Sequence, residues 1–284
     1  MRTLFISLAI VFLVGGCSPA KNVSQDLTEQ KMLDVSYGSF QSSKMDVYLP
    51  SNRNKKTPFV IVIHGGGWVG GDKKSDRGTQ HFFVEKGIAS ANINYRFVDS
   101  LNTHYPEMLA DIDSAVNYCI NQSKAWNTRK NDFIFMGASA GGHLSLLYAY
   151  TTRKKVNAII AECAPVDLTD TTTLEETVRN GLLTIIEKMA GSTYIPGKPI
   201  SPNFAASSPL FHVRNTPTLI IHGTKDPIVP YREAVKLHKK LEELKIPNKL
   251  ITIEGAGHDL NMRDRPTRDM IYNEILAWIL KYNS

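Results

Sequence analysis

Cysteine is scarce in this chain. Three in 284 residues is an odd number, which excludes a fully paired disulfide framework. Cys119 falls on the apolar stripe Ile112, Ala115, Val116, Ile120, and Cys163 ends the strand-like run 158–163, so both are expected as buried core thiols. Long apolar runs are also missing. Residues 4–14 form an apolar core of only 11 positions, too short to cross a bilayer as a helix, which needs about 20 residues. No group of His, Cys, Asp and Glu shows metal-ligand spacing, so no metal and no other cofactor is implied. Internal repeats and low-complexity segments are absent, which argues against a solenoid or an array. The net charge of +6 is spread through short groups such as Arg53–Lys56 and Arg153–Lys155 without interleaved aromatics. That argues against a nucleic-acid interface and suits a solvated surface near an anionic envelope. With 42% hydrophobic and 21% charged residues the chain is ordinary for a globular protein, long enough for one domain with a sizeable core.

What is present begins with Phe135-Met136-Gly137-Ala138-Ser139-Ala140-Gly141-Gly142, a G-x-S-x-G core between a strand-like and a helix-like run. A strand that turns sharply into a helix needs small residues around the turn, so that one serine stands clear with its hydroxyl exposed. Ser139 is the candidate nucleophile. Upstream, Phe59–Ile63 is a continuous apolar run of the kind a strand buried on both faces requires, and it leads into His64-Gly65-Gly66-Gly67-Trp68. A serine hydrolase must stabilise the oxyanion of its tetrahedral intermediate, and each well-aimed donor is worth roughly 3 kcal/mol. The amides of Gly66 and Gly67 on one side and of Ala140 on the other are the candidate oxyanion hole. His64 competes as a base, but the histidine that heads an HGGG motif commonly orders its own loop.

Downstream, Thr218–Gly223 is another buried-strand pattern and places Asp226 just past its end; a further strand near 249–254 leaves His258 in the next loop. The order Ser139, Asp226, His258 is that of the α/β-hydrolases, distinct from the chymotrypsin-like and subtilisin-like orders. Asp226 is preferred over Glu254 and Asp259, which flank His258 too closely. His143 and His222 read as structural, Arg96 as the partner of a helix carboxylate, and Asp72 as a helix N-cap.

The N-terminus carries a separate message. Arg2, the apolar core and Val14-Gly15-Gly16-Cys17 resemble a lipoprotein signal, cleaved before Cys17, which is then acylated. Residues 1–16 are thus expected as the signal, 17–31 as a polar tether and 32–284 as the catalytic domain. Because Ser18 is not an aspartate, an outer-membrane, lipid-anchored location is the expected one.

Taken jointly, HGGGW (His64 to Trp68), GASAGG (Gly137 to Gly142), SPL (Ser208 to Leu210), HGTKDPIVP (His222 to Pro230) and GAGHD (Gly255 to Asp259) resemble the α/β-hydrolase esterases akin to hormone-sensitive lipase. More narrowly, they are similar to the bacterial acetylxylan and feruloyl esterase branch, over about residues 32–282. The resemblance implies a serine carboxylester hydrolase acting on acetyl or feruloyl carbohydrate esters. The fold expected is a doubly wound, mostly parallel α/β sheet. After an antiparallel opening (34–37 and 45–49), its strands lie near 59–63, 88–95, 133–137, 158–163, 218–223 and 249–254, and its helices near 75–86, 109–121, 141–150, 232–244 and 268–281. Residues 167–211 break the alternation as a small lid insertion with a helical segment at 174–189. Leu182, Leu183, Ile186 and Met189 in it are candidates either for the pocket or for the lid's own core. Trp68 is the candidate substrate-binding residue, stacking on a sugar face or capping a small acyl pocket. A short-chain lipase-like esterase, a peptidase of the same fold and a catalytically silent lipoprotein are the competing readings; silent relatives typically lose the serine or the histidine, and both are kept here.

Overall fold

The computed structural model describes residues 27–99 and 102–283; the expected signal segment and Cys17 lie outside these residues. Strands β1 (Gln30–Ser36), β2 (Lys44–Leu49), β3 (Phe59–Ile63), β4 (Ala89–Ile93), β5 (Phe133–Ala138), β6 (Val156–Glu162), β7 (Thr218–Gly223) and β8 (Asn248–Ile253) form one sheet in the order β1-β2-β4-β3-β5-β6-β7-β8. β2 runs antiparallel to both β1 and β4, and from β4 to β8 all neighbours are parallel. The helices are α1 (Arg77–Glu85), α2 (Tyr105–Trp126), α3 (Ala140–Thr151), α4 (Thr171–Arg179), α5 (Leu183–Ala190), α6 (Pro202–Ala206), α7 (Arg232–Glu243) and α8 (Arg265–Lys281).

The alternation within β3 explains the layers. Phe59, Ile61 and Ile63 pack into the core that holds Met108, Ile112, Val116 and Cys119 of α2. Val60 and Val62 face the opposite core, with Phe83 of α1 and Ile271, Ile275 and Trp278 of α8. Burying each such side chain is worth roughly 1.5–3 kcal/mol, so a strand apolar at every position is stable only between two helical layers. Cys119 and Cys163 are buried free thiols, and burial pushes the Cys119 thiol up to about 12.

Several boundaries differ from the sequence expectation, most clearly in α2, in the insertion and in β1. α2 starts earlier than 109 because the Glu107 carboxylate accepts the His104 N–H at 2.9 Å and Pro106 fills a first-turn position that needs no N–H; it ends later, where Asn127 turns left-handed at φ 52. The helical segment expected at 174–189 is two helices, α4 and α5, parted at Gly181 with φ 70. β1 begins at Gln30, inside the segment assigned to the tether, because Met32 and Val35 pack against the core.

β3 is followed in the chain by β4 on one side and flanked by β5 on the other, which makes the gap between the C-terminal ends of β3 and β5 a topological switch point. The loop after β3 and the turn after β5 therefore face each other across a crevice.

Candidate active site

β5 delivers Ser139 into α3 through a turn with φ 54 and ψ −123, a conformation that costs a non-glycine residue about 1–3 kcal/mol. The turn is held by its neighbours: the Ser139 N–H donates to Glu162 O at 2.7 Å, and Ser139 O accepts from the His143 N–H at 2.9 Å. α3 is pressed so closely on β3 that a Cβ at Gly141 would lie 1.9 Å from Ile63 O. Small residues around the serine are thus a steric requirement of the crossing, and they leave Ser139 and Ala140 in the wall of a cavity.

The opposite wall comes from the loop after β3. Gly66 has φ 119, and a Cβ there would meet Gly70 O at 2.2 Å; its carbonyl accepts the N–H groups of Val69 (3.2 Å) and Gly70 (3.1 Å), closing a tight turn. Gly67 and Trp68 line the cavity beside Ser139 and Ala140, whereas Gly66 sits in the turn behind them. The His64 ring stacks on Tyr95 at 4.6 Å, its Nδ1 lies 2.7 Å from Gly65 O, and Tyr95 Oη donates to His64 O at 3.0 Å. Burial lowers the His64 pKa, so the ring is a neutral brace for its own loop. Trp68 is only 5% exposed and meets His143 edge-on at 4.9 Å, so its indole presents cavity wall rather than an open stacking platform.

Asp226 and His258 meet in the loops after β7 and β8, with His258 Nδ1 2.7 Å from Asp226 Oδ2. A carboxylate accepts here, so Nδ1 carries the hydrogen and Nε2 is left as the basic nitrogen. Asp226 Oδ1 takes the N–H groups of Ile228 (2.8 Å) and Val229 (2.9 Å), residues that also line the cavity with Ser139. Burial alone would raise the Asp226 carboxyl; hydrogen bonds from His222, His258 and the two amides outweigh it and hold the group far below the usual carboxylate range. Glu254 is bound instead to Thr224 (3.1 Å), and Asp259 accepts from the Asn261 N–H (3.2 Å).

His222 is nearer to this chemistry than a merely structural reading implies. It is wholly buried, with Nε2 2.8 Å from Val229 O and 3.3 Å from Asp226 Oδ2. Cys163, at φ 47, completes a group with His222 and Asp226 whose possible ligand atoms lie within 4.8 Å of one another. These atoms are already committed: His222 Nε2 must carry a hydrogen to satisfy Val229 O, and Asp226 serves His258. The group is a hydrogen-bonded support for the carboxylate, and the four-residue spacing of His222 and Asp226 across a strand end was the sequence signal for it.

The cavity measures about 90 Å³ and is nearly all apolar. Leu182, Ile185 and Ile186 of the insertion line it, while Met189 is buried in the main core and Leu183 packs against it. Glu233, singled out by no motif, also lines this cavity; its buried carboxylate accepts the N–H groups of Val166 (2.9 Å) and Asp167 (2.8 Å) and so fixes the start of the insertion. His143 is fully buried against Ser207 O (2.8 Å), and burial lowers its pKa to about 4. Arg96 pairs with Asp111 through Nε and Nη2 (2.8 Å), and Asp72 caps the short 3-10 turn at Lys73–Asp76, both as expected.

The family model BD-FAE matches residues 45–241. The chain belongs to that family. Among curated relatives of this BD-FAE chain, Esterase LipC of Mycobacterium tuberculosis is 25% identical over 252 residues, covering 81% of this chain and 60% of LipC. Isoprenylcysteine alpha-carbonyl methylesterase ICME of Arabidopsis thaliana is 23% identical, covering 89% of this chain and 62% of that protein. The chain thus spans about six-tenths of the length of these two relatives. Among solved structures, a truncated carbohydrate esterase from gut microbiota superposes with a TM-score of 0.71 at 20% identity, covering 90% of this chain and 98% of that one. Propionate-bound esterase 2 of the planctomycete Thermogutta terrifontis gives 0.69 at 19% identity, covering 89% and 94%. The mostly parallel sheet flanked by helices is the α/β-hydrolase fold.

Proposed function

We propose that the protein is a serine carboxylester hydrolase of the bacterial cell envelope that removes small acyl groups, acetyl or feruloyl, from carbohydrate esters. The observation that carries this is one apolar cavity lined by the strained Ser139 turn, by Gly67 and by Ile228 and Val229, whose amides hold Asp226, the partner of His258. In this reading Ser139 Oγ attacks the ester carbonyl carbon and gives its proton to His258 Nε2. The negative oxygen that forms is held by the amides of Gly67 and Ala140, with Gly66 shaping or sharing that hole. Collapse expels the alcohol, which takes the proton from His258; water, deprotonated by the same nitrogen, then releases the acid and regenerates Ser139. Asp226 holds the imidazole in the Nδ1–H tautomer throughout.

The small apolar cavity supports a short or flat acyl group rather than a long chain, and the BD-FAE match and the carbohydrate esterase among the structural neighbours support a sugar as the alcohol. Acylation of Cys17 would hold the enzyme in the envelope, with the outer membrane as the proposed location. An activity panel tests the assignment. We expect p-nitrophenyl acetate to be cleaved with at least about tenfold higher kcat/KM than the octanoate, and acetate or ferulate to be released from acylated xylan oligosaccharides. Preference for octanoate with no release from any glycan would replace this reading with a short-chain lipase-like esterase.

A further inference from the structure

The basic groups that look scattered along the sequence are gathered by the fold. Because β3 to β8 are parallel, the connections that lead into them all lie at one end of the sheet. Those connections are residues 50–58, 86–88, 127–132, 152–155, 212–217 and 244–247. They hold eleven Arg and Lys and one acid, Asp132, a formal balance of +10 in a chain whose total is +6. The connections leaving the C-terminal ends of the same strands (64–72, 94–104, 139, 163–170, 224–231 and 254–264) hold eight acids and three bases, a balance of −5. The molecule is therefore polarised along its strands, with the crevice at the acidic end.

Part of the basic end complements helix C-termini: Lys86, Lys124 and Lys281 sit where helix dipoles are negative. Lys55, Lys56 and Lys130 do not, and each is exposed. Lys55, Lys124, Arg129 and Lys130 surround a cavity of about 500 Å³ with no acidic side chain in its wall among the described residues. Of the bases in these connections, Lys154 pairs with Asp113 and Lys155 with Asp132, and beside them Lys31 pairs with Glu29.

The chain also enters the described structure here. Leu27 O accepts the Asn52 N–H (2.9 Å), Thr28 O accepts from Arg53 Nη1 (2.8 Å), and Gln30 pairs with Leu49 at the same end. Cys17 lies ten residues before Leu27, at most about 35 Å of extended chain.

We propose that this basic end is a docking surface for an anionic phospholipid membrane, holding the acidic, crevice-bearing end toward the aqueous side. Lys and Arg near an anionic membrane surface each contribute about 1 kcal/mol, so a polybasic patch within reach of the anchored membrane sets which face of the molecule meets it. The orientation rests on Cys17 being acylated; the affinity rests on the charge alone, so the two are tested apart.

Full-length protein carrying Cys17→Ser, so that no acyl chain contributes, is sedimented with phosphatidylglycerol-containing vesicles and with pure phosphatidylcholine vesicles. Binding to the anionic vesicles is expected to be at least about tenfold tighter and to be lost as salt rises toward about 0.5 M. Adding Lys55→Glu, Lys56→Glu, Lys124→Glu and Lys130→Glu removes that preference, with hydrolysis of a soluble ester unchanged, which shows the variant is folded. Arg179→Glu with Lys198→Glu, at the other end, leaves vesicle binding as it was. Equal binding to both vesicle types, undiminished binding by the fourfold variant, or equally tight binding to soluble polygalacturonate would overturn the proposal.

Discussion

Asp226 sits in the part of the molecule where a carboxylate should be least willing to ionise, and four donors reverse that. Ile228 N, Val229 N, His222 Nε2 and His258 Nδ1 all point at it. Its folded pKa lies below the unfolded one, so the stabilisation is fully present above about pH 4 and is lost only as pH falls through the depressed folded value. His222 is the donor with a testable positioning role. Replacing it with Phe removes a charge-assisted hydrogen bond worth about 1.5–3 kcal/mol, so kcat is expected to drop about 10- to 100-fold with KM nearly unchanged. His222→Gln, which keeps a donor near Nε2, should recover much of the loss; equal defects in both variants would reduce His222 to a packing residue. His143 predicts a different signature. Its folded pKa of about 4 lies below the ordinary histidine value near 6.5, so the unfolded chain binds the proton first and stability falls as pH drops from about 6.5 to 4. Between pH 7 and 5 that amounts to about 2 kcal/mol. Urea unfolding of wild type and His143→Gln at the two pH values should show the variant's stability falling less by that amount, and parallel declines would contradict it. At this scale the placement of Ser139, Asp226 and His258 was legible because each follows a strand end. The reach of His222 to Asp226 was signalled by their four-residue spacing, whereas that of Cys163 was not, since it depends on how β6 and β7 sit side by side.

The insertion between β6 and β7 supplies Leu182, Ile185 and Ile186 to the cavity that Ser139 lines. α4 and α5 are separate helices joined at Gly181, and α5 turns Ile185 and Ile186 toward the cavity while Met189 anchors the helix in the core. Ile185→Trp should narrow the cavity without disturbing that anchor. We expect kcat/KM for p-nitrophenyl butyrate to fall at least about tenfold relative to the acetate, measured in one preparation; an unchanged acetate-to-butyrate ratio would mean that α5 does not border the acyl group. β3 was readable because it is apolar at every position, and β5, β6 and β7 because each holds a run of at least three apolar residues, a pattern few other environments tolerate. The insertion was not, because amphipathic residues 174–189 keep one periodicity on both sides of the break and only the left-handed Gly181 divides them. α2 was read short for a related reason: its first turn is fixed by Pro106 and Glu107 rather than by apolar residues.

The whole molecule combines a BD-FAE catalytic fold with strong charge polarity and an N-terminal lipobox-like sequence. If Cys17 is the acylated N-terminus, Cys17→Ser should leave the membrane fraction while keeping its specific activity on a soluble ester, and intact-mass measurement of wild type should give an acylated chain beginning at Cys17. An unmodified N-terminus elsewhere would refute the anchor without touching the catalytic reading. The catalytic reading itself stands on Ser139. Purified protein treated with a fluorophosphonate and digested should carry a single adduct, on the peptide containing Ser139, with turnover lost in proportion; Ser139→Ala should take no label and lose at least about a thousandfold in kcat while its unfolding midpoint stays close to wild type. An adduct on another residue, or a Ser139→Ala enzyme that still turns over, would contradict the account.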